Sequence, residues 1–349
     1  MKAWEKNIRK VVPYTPGEQP KKKDVIKLNT NENPYPPAPG VLNAKEKLEQ
    51  LRLYPDPAAG DLVKAIAGYH GLKEDQVFVG VGSDDVLAMS FLTFFNSDKP
   101  ILFPDITYSF YDVWADLFRI PYETKALDDE FCLKAEDYYE ANGGVIFPNP
   151  NAPTGLAVPL SFVKDILEHN QDVIVIIDEA YIDFGGESAI SLIDEYENLL
   201  VVRTFSKSRS MAGLRIGYAM GNADLIKALN DVKYSYNSYT MNYPSIVLGV
   251  ESILDDVYFK ETVAKVVATR EWFEGELTRL GFTYPKSSSN FVFASHKSVP
   301  AKEIFEKAKE ANIYVRYFNK PRIDNYLRIS IGTDEEMQKF VAFLETMLG

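Results

Sequence analysis

Two apolar runs near the middle of the chain are each followed by a charged residue. Residues 173–177 (VIVII) precede Asp178, and residues 199–202 (LLVV) stand shortly before Lys207. Short apolar runs between turn signals predict buried strands, and a turn rich in Ser and Gly follows Lys207. Because open α/β sheets hold ligands at the carboxyl ends of their strands, both side chains are expected at one ligand site.

Tyr181 and Arg215 complete a set of polar residues with these two side chains. Most lysines are solvated surface charges, but pyridoxal 5′-phosphate requires an amine, an acid opposite its ring nitrogen, a donor at its phenolic oxygen and a cation at its phosphate. Lys207 fits the first need. Asp178 fits the second, because a carboxylate at a buried strand end requires a partner. The set predicts a pyridoxal-phosphate enzyme with Lys207 as its catalytic residue.

The spacing from Asp178 through Tyr181 to Lys207 and Arg215 resembles that of fold-type I aminotransferases, and more narrowly the histidinol-phosphate aminotransferase family. The resemblance covers nearly the whole chain, and its other carriers are residues 12–14 (VPY), 28–34 (LNTNENP), 54–56 (YPD) and 327–333 (LRISIGT). It implies a cytoplasmic homodimer that interconverts L-histidinol phosphate plus 2-oxoglutarate with imidazole acetol phosphate plus L-glutamate, in histidine biosynthesis. No metal is expected.

Length and composition agree with an enzyme of two domains. The chain has 349 residues, 46% of them hydrophobic, so it can bury a large core. The resemblance implies an α/β fold, with a large domain built on a mostly parallel seven-stranded sheet between helices and a smaller α+β domain. The expected divisions are an N-terminal arm (1–35) that packs with the small domain and the substrate site, a large cofactor-binding domain (36–244) and a small domain (245–349).

Charge and cysteine content limit the partners that this chain is expected to bind. The net charge of −12 argues against nucleic acid, whose phosphates are held by clustered Lys and Arg. The single cysteine, Cys132, excludes an internal disulfide. No apolar stretch reaches the 18 residues of a membrane span, and the first residues lack the apolar core of a signal peptide. A soluble cytoplasmic protein is expected.

A glycine segment, residues 79–85 (VGVGSDD), stands between a predicted strand and a predicted helix. It fails the dinucleotide fingerprint, because Asp85 occupies the third small position. Gly82 and Ser83 can still offer backbone N–H groups and a hydroxyl to an anion at the helix start. The alternative is a plain helix cap, in which Asp84 and Asp85 only favour the helix dipole.

The resemblance places further residues at the cofactor. Tyr108 matches the aromatic residue that stacks on the pyridine ring, and Tyr54 matches a tyrosine that reaches the neighbouring subunit's cofactor phosphate. The remaining cofactor-binding residues that it implies are Gly82, Ser83, Asp84, Thr204 and Ser206.

One segment departs from the family pattern. The usual Asn before Pro-Thr-Gly, which donates to the phenolic oxygen of the cofactor, is replaced by Ala152. Asn151 takes over if the loop shifts by one residue, or Tyr181 carries the contact alone. A turn-forming Asn beside proline is the structural alternative for Asn151.

The resemblance also implies the substrate-binding residues. Arg328 matches the arginine that binds the distal anion of the substrate or the carboxylate of the amino donor, a task suited to its planar fork. Arg316 and Tyr14 match residues near the substrate phosphate, and Asn33 is a candidate for the substrate wall. Each has an ordinary surface role as its alternative.

Two other kinds of protein share this pattern. An aromatic amino-acid aminotransferase or a phosphothreonine decarboxylase of the same fold carries the same cofactor residues. A binding or regulatory protein of this fold commonly carries an added DNA-binding segment, whereas this chain has neither the extra length nor a basic patch.

Overall fold

Seven strands form the larger of two sheets in the computed structural model, which describes residues 3–22, 24–48 and 51–349. The order across the sheet is β2-β8-β7-β6-β5-β3-β4. The strands are β2 (Val77–Gly80), β3 (Ile101–Pro104), β4 (Tyr122–Lys125), β5 (Val145–Pro148), β6 (Val175–Asp178), β7 (Leu199–Thr204) and β8 (Gly217–Gly221). All neighbours are parallel except β8, which runs antiparallel to β2 and β7.

Helices cover both faces of this sheet because its central strands are apolar on both sides. Along β6, Val175 and Ile177 pack into one core, while Ile176 packs into a second core on the opposite face, as alternating side chains of a strand must. The helices are α1 (Pro39–Asn43), α2 (Gly60–His70), α3 (Ser83–Phe94), α4 (Tyr111–Phe118), α5 (Leu160–His169), α6 (Ala223–Tyr236) and α7 (Tyr243–Leu254).

A smaller sheet of five strands follows a long helix, α8 (Asp256–Arg279), and lies beside two more, α9 (Ala301–Glu310) and α10 (Asp334–Leu348). Its order is β1-β11-β12-β10-β9. The strands are β1 (Ile26–Leu28), β9 (Phe282–Thr283), β10 (Phe291–His296), β11 (Ile313–Tyr317) and β12 (Leu327–Ser330). The arm thus contributes β1, which pairs in parallel with β11 and brings the residues after Leu28 to the space between the two sheets.

The expected division after residue 244 falls at the start of α7. Ile246 and Ile253 of this helix pack into the core beside the larger sheet. Because of these contacts, we propose that the boundary between the large and small domains lies between α7 and α8, near Asp255.

No helix within the described residues is both long enough and apolar enough to cross a membrane.

Candidate active site

A cavity lies at the carboxyl ends of β5, β6 and β7, beside the start of α3. Its lining residues are Ser83, Asp84, Tyr108, Pro148, Ala152, Asp178, Ala180, Tyr181, Thr204, Ser206, Lys207 and Arg215. Nine of these were predicted from the sequence as cofactor-binding or catalytic residues. Because parallel strands end at the same edge of a sheet, segments far apart in the sequence meet here.

Asp178 is the last residue of β6 and is only 4% exposed. The Tyr111 hydroxyl donates to its carboxylate at 3.0 Å, and the Ala180 N–H donates at 3.2 Å. Burial raises the pKa of Asp178 to about 6, and these two hydrogen bonds oppose the rise. Within the described part of the chain, no Lys, Arg or His forms an ion pair with it, so its charge lacks a protein partner.

This burial predicts a pH dependence for the protein without ligand. The folded state holds the Asp178 proton more tightly than the unfolded state, so the Asp178 contribution to stability falls as pH rises from about 4 to 6. Asp178→Asn removes the buried charge, and its amide can still accept from Ala180 and donate to Tyr111. We expect the variant to be more stable than wild type well above pH 6 by on the order of 3 kcal/mol, with the difference becoming small near pH 4.

Urea unfolding of both proteins between pH 4 and 8 measures this difference. Asp172→Asn, at an exposed loop position, is the matched control and should leave stability unchanged. A difference between Asp178→Asn and wild type that stays constant across the range would contradict the prediction.

Lys207 lies in the loop that follows β7. Its Nζ donates to the Thr30 carbonyl at 3.3 Å and lies 5.5 Å from the centre of the Tyr181 ring. The neighbouring Ser208 hydroxyl donates to Asp183 at 2.5 Å. Asp183 stands two residues after Tyr181, so this bond ties the lysine loop to the loop after β6.

A buried ion pair holds the loop after β6 from the other side. Arg203 Nε donates to Glu179 at 3.0 Å, and its Nη1 donates to Asp183 at 3.2 Å. Glu179 also accepts from the Ala189 N–H at 2.6 Å and from the Ser188 hydroxyl at 2.7 Å. Because removing one member of a buried pair leaves an uncompensated charge, this network fixes the loop that carries Tyr181.

The opposite end of the cavity has the features of an anion site. Gly82 has a φ of +84° and carries no side chain that could cap α3. A Cβ there would lie 2.5 Å from the Arg215 guanidinium, so glycine allows the guanidinium to approach the first N–H groups of the helix. Ser83 and Ser206 line the same end, and Arg215 contacts the Ser206 hydroxyl at 3.4 Å.

Asp84 occupies part of this anion site. Its carboxylate pairs with Arg215 at 3.0 Å and accepts from the Tyr108 hydroxyl at 2.7 Å. Burial, and then the Asp84 charge, raise the pKa of Tyr108 well above its ordinary value, so this hydroxyl remains a neutral donor. The Thr204 hydroxyl is already hydrogen-bonded to neighbouring backbone, because it donates to the Ile216 carbonyl and accepts from the Ser206 N–H.

Asn151 does not line the cavity. Its amide nitrogen donates to the Ile106 carbonyl at 3.0 Å and to the Thr154 hydroxyl at 3.1 Å, and its oxygen accepts from Thr107. These bonds are those of a loop-stabilising asparagine. Ala152 lines the cavity instead, so the departure from the family pattern leaves a methyl group there.

The arm brings two asparagines to the site. Asn33 donates to the Ser208 carbonyl at 3.1 Å and accepts from the Tyr35 N–H, so it braces the lysine loop. Asn31 donates to the Tyr181 hydroxyl at 2.9 Å. Sequence reasoning singled out Asn33 and missed Asn31, as well as Tyr111 beside Asp178. The local sequence around Asn31 carries no signal for this contact, which joins residues 150 positions apart.

Arg316 and Arg328 are paired neighbours on β11 and β12. Arg328 donates to the Asn29 carbonyl at 3.2 Å, but its buried Nε has no hydrogen-bond partner among the described residues. Burial lowers the pKa of Arg328, and the charge of Arg316 lowers it further. Tyr14, which stacks on Phe110 at 4.1 Å, is within electrostatic range of Arg328.

Tyr54 is not brought to the cavity of its own chain. It is 83% exposed and contacts Tyr239, with ring centres 4.8 Å apart.

The strand-end lysine, the buried aspartate and the anion site together form a candidate active site of an enzyme, and comparison with known proteins identifies its family. Residues 23–344 match the model of aminotransferase class I and II. The chain belongs to this family and is an aminotransferase.

Two relatives are similar to this chain over nearly their whole length. A histidinol-phosphate aminotransferase from Clostridium botulinum (strain Langeland) is 52% identical over 342 residues, which is 97% of each chain. The protein of that name from Lactococcus lactis (strain IL1403) is 50% identical over 348 residues, covering 99% of this chain and 97% of the other.

Solved structures confirm the predicted fold class. The histidinol-phosphate aminotransferase from Clostridium acetobutylicum has a TM-score of 0.86 at 24% identity, and the alignment covers 93% of this chain and 99% of the other. The enzyme from Sinorhizobium meliloti, in complex with pyridoxal-5′-phosphate, has a TM-score of 0.83 at 24% identity and covers 93% and 90%.

Proposed function

We propose that this enzyme interconverts L-histidinol phosphate plus 2-oxoglutarate with imidazole acetol phosphate plus L-glutamate, as a step of histidine biosynthesis in the cytoplasm. The names of relatives at 50 to 52% identity support the reaction. The observation that carries the substrate class is Arg328, a half-buried arginine with a buried, unpartnered Nε, which lies beside Arg316 and has no ion pair with any described carboxylate. Two neighbouring cations without an anionic partner among the described residues fit a dianionic phosphate.

The residues of the cavity fit pyridoxal 5′-phosphate. Asp178, which is buried and has no ion pair with a described cation, would pair with the protonated ring nitrogen. The first N–H groups of α3, together with Arg215 and Ser206, would hold the phosphate. When bound, the cofactor supplies an electron sink for the pair of electrons left at the substrate Cα.

Three side chains of this chain would then act around the reacting atoms. Lys207 would hold the cofactor's aldehyde before the substrate binds. Its freed amine would then take the proton from the substrate Cα and deliver it to the aldehyde carbon of the cofactor. Tyr181 would donate to the phenolic oxygen, and Tyr108 would cover the ring face. Thr30 fits this proposal, since its carbonyl orients the lysine amine.

Substrate recognition would come from the arm and the smaller sheet. Arg316 and Arg328 would bind the phosphate, with Tyr14 closing over it and Asn33 bracing the adjacent loop. An amino donor such as glutamate would present a carboxylate to the same arginine fork. The experiment that tests the reaction is incubation of the cofactor-loaded protein with histidinol phosphate or with aromatic amino acids, while the cofactor absorbance is recorded. A spectrum that responds only to aromatic amino acids would contradict it.

A homodimer is part of the proposal. Tyr54 belongs to an exposed apolar patch that we define as Leu51, Leu53, Tyr54, Tyr239 and Leu254. Tyr54 contacts Tyr239, and Leu254, 71% exposed, lines one groove together with Asp56, two residues after Tyr54. A patch of this kind on a globular protein marks an interaction surface, and a second copy would receive Tyr54 at its cofactor phosphate.

Mixing two inactive variants tests the shared site. In a hybrid of Tyr54→Ala and Lys207→Ala subunits, one site receives both intact residues. Random pairing at equal amounts makes half of the dimers hybrids, each with one active site, so about a quarter of wild-type activity should return.

The matched control carries both substitutions in one chain. Mixed with wild type, this double variant forms hybrids without an intact site and should add no activity to that of the wild-type dimers. Failure of the two single variants to gain activity, with subunit exchange shown by mass spectrometry, would reject a shared site.

A further inference from the structure

The Tyr181 hydroxyl has a buried amide beside it. Asn31 Nδ2 donates to Tyr181 Oη at 2.9 Å, and Asn31 is only 1% exposed. A phenol has one proton to donate and can also accept. Because its oxygen accepts from Asn31, the proton of Tyr181 remains available for an acceptor in the cavity.

Ser330 determines which way the Asn31 amide points. The Ser330 hydroxyl oxygen accepts from the Asn31 backbone N–H at 2.9 Å, and its proton is donated to Asn31 Oδ1 at 2.8 Å. Turning the amide round would leave the Ser330 proton without an acceptor, and Ser330 is buried. The amide nitrogen therefore faces Tyr181.

The backbone holds Asn31 in place as well. Its φ of +56° lies in the left-handed region, which asparagine tolerates better than most residues. Its carbonyl accepts from the Asn290 side chain at 3.0 Å. Since both backbone groups and both side-chain polar atoms are bonded, the donor to Tyr181 has one position.

The alanine at position 152 makes the direction of the Tyr181 proton important. At the place where the family pattern has a donating asparagine, the cavity is lined by a methyl group, and the Asn151 amide is taken up by Ile106 and Thr154. With a methyl group at position 152, the Tyr181 hydroxyl is a side-chain donor that can replace the asparagine of the family pattern. The direction of its single proton decides whether it donates to an oxygen in the cavity.

We infer that Asn31 is a positioning residue, anchored by Ser330, that directs the Tyr181 proton toward the phenolic oxygen of the cofactor in place of the missing asparagine. The inference rests on the proposed function, because it requires pyridoxal 5′-phosphate in this cavity. Asn31 acts through Tyr181 and contacts no reacting atom.

The test is a double-mutant cycle read by absorbance of the cofactor-loaded protein. Asn31→Asp replaces the donating amide by a carboxylate that accepts the Tyr181 proton and withdraws it from the cavity. A hydrogen bond donated to the phenolic oxygen of the cofactor stabilises the anion of that oxygen. When the absorbance of the bound cofactor is titrated with pH, losing this bond should raise the midpoint of the titration by about one pH unit. Asn31→Gly, which keeps the positive φ, is the neutral control and should raise it less.

The same substitutions in a Tyr181→Phe background decide the matter. If Asn31 acts through the hydroxyl, Asn31→Asp should shift the midpoint there by no more than half as much as in wild type. Equal shifts in both backgrounds, or none in wild type, would overturn the inference. Circular dichroism and cofactor titration of each variant show that the fold and the cavity are intact. A wild-type protein that binds no pyridoxal 5′-phosphate would instead refute the proposed function.

Discussion

Replacing Lys207 by alanine should abolish the covalent attachment of pyridoxal 5′-phosphate and lower kcat by about a thousandfold or more, since it removes the amine that would bind the aldehyde and transfer the proton. The loss should come from chemistry rather than folding, because among the described residues the side chain donates a single hydrogen bond, to the Thr30 carbonyl. Borohydride treatment followed by mass spectrometry measures the attachment, and a steady-state assay measures kcat.

Lys164→Ala is the matched control, since this exposed lysine pairs with Glu195 on the surface, away from the cavity. It should retain the covalent cofactor and near-normal turnover. A Lys207→Ala protein that reductant still links to the cofactor, with normal kcat, would show that another lysine is the catalytic one.

The core of the fold could be predicted from the sequence because its strands are short apolar runs. Short apolar runs at 77–79, 101–103, 145–147, 199–202 and 216–220 predict strands, and each overlaps a strand of the larger sheet, whereas β6 begins at Val175, two residues after the start of the run at 173–177. Val173 and Ile174 are only half-buried and follow a turn closed by the Asn170 carbonyl. Their apolar character alone therefore extended the predicted strand too far.

β1 and β4 are among the strands that the sequence did not predict, because tertiary pairing forms them. β4 lies at the edge of the larger sheet, where Tyr122, Glu123 and Thr124 are exposed and show no apolar run. β1 has three residues and pairs with β11 near the other end of the chain. Neither position carries the periodic pattern from which strands are recognised.

The residues of the candidate site likewise fall into those that the sequence predicts and those that it does not. Asp178 and Lys207 could be predicted because each follows its own apolar strand, and the structure brings both into one cavity. Tyr111 and Asn31 could not be predicted, because the contacts that matter, to Asp178 and Tyr181, join distant segments. The catalytic and binding roles of all the predicted site residues, Tyr54, Asn151 and Arg316 among them, remain predictions.

Removing the phosphate from the substrate is the other change for which we expect a large effect, on kcat/KM. Arg316 and Arg328 are adjacent cations without a described carboxylate partner, so a substrate phosphate would supply the missing charge. Each charge-assisted hydrogen bond contributes about 1.5 to 3 kcal/mol. Losing several should lower kcat/KM by about two to four decades at about 1.4 kcal/mol per decade. Histidinol should therefore be a far poorer substrate than histidinol phosphate.

Substitution of the arginines tests whether they read the phosphate. Arg328→Ala and Arg316→Ala should each lower kcat/KM for histidinol phosphate while changing that for histidinol little, so the ratio between the two amines narrows. Arg328→Lys keeps a charge but loses the fork, and should fall between. Arg279→Ala, a surface arginine paired with Glu276 and Glu345, should leave the ratio unchanged. Equal efficiency of both amines on wild type would favour an aromatic amino-acid aminotransferase, and release of carbon dioxide from phosphothreonine would favour the decarboxylase.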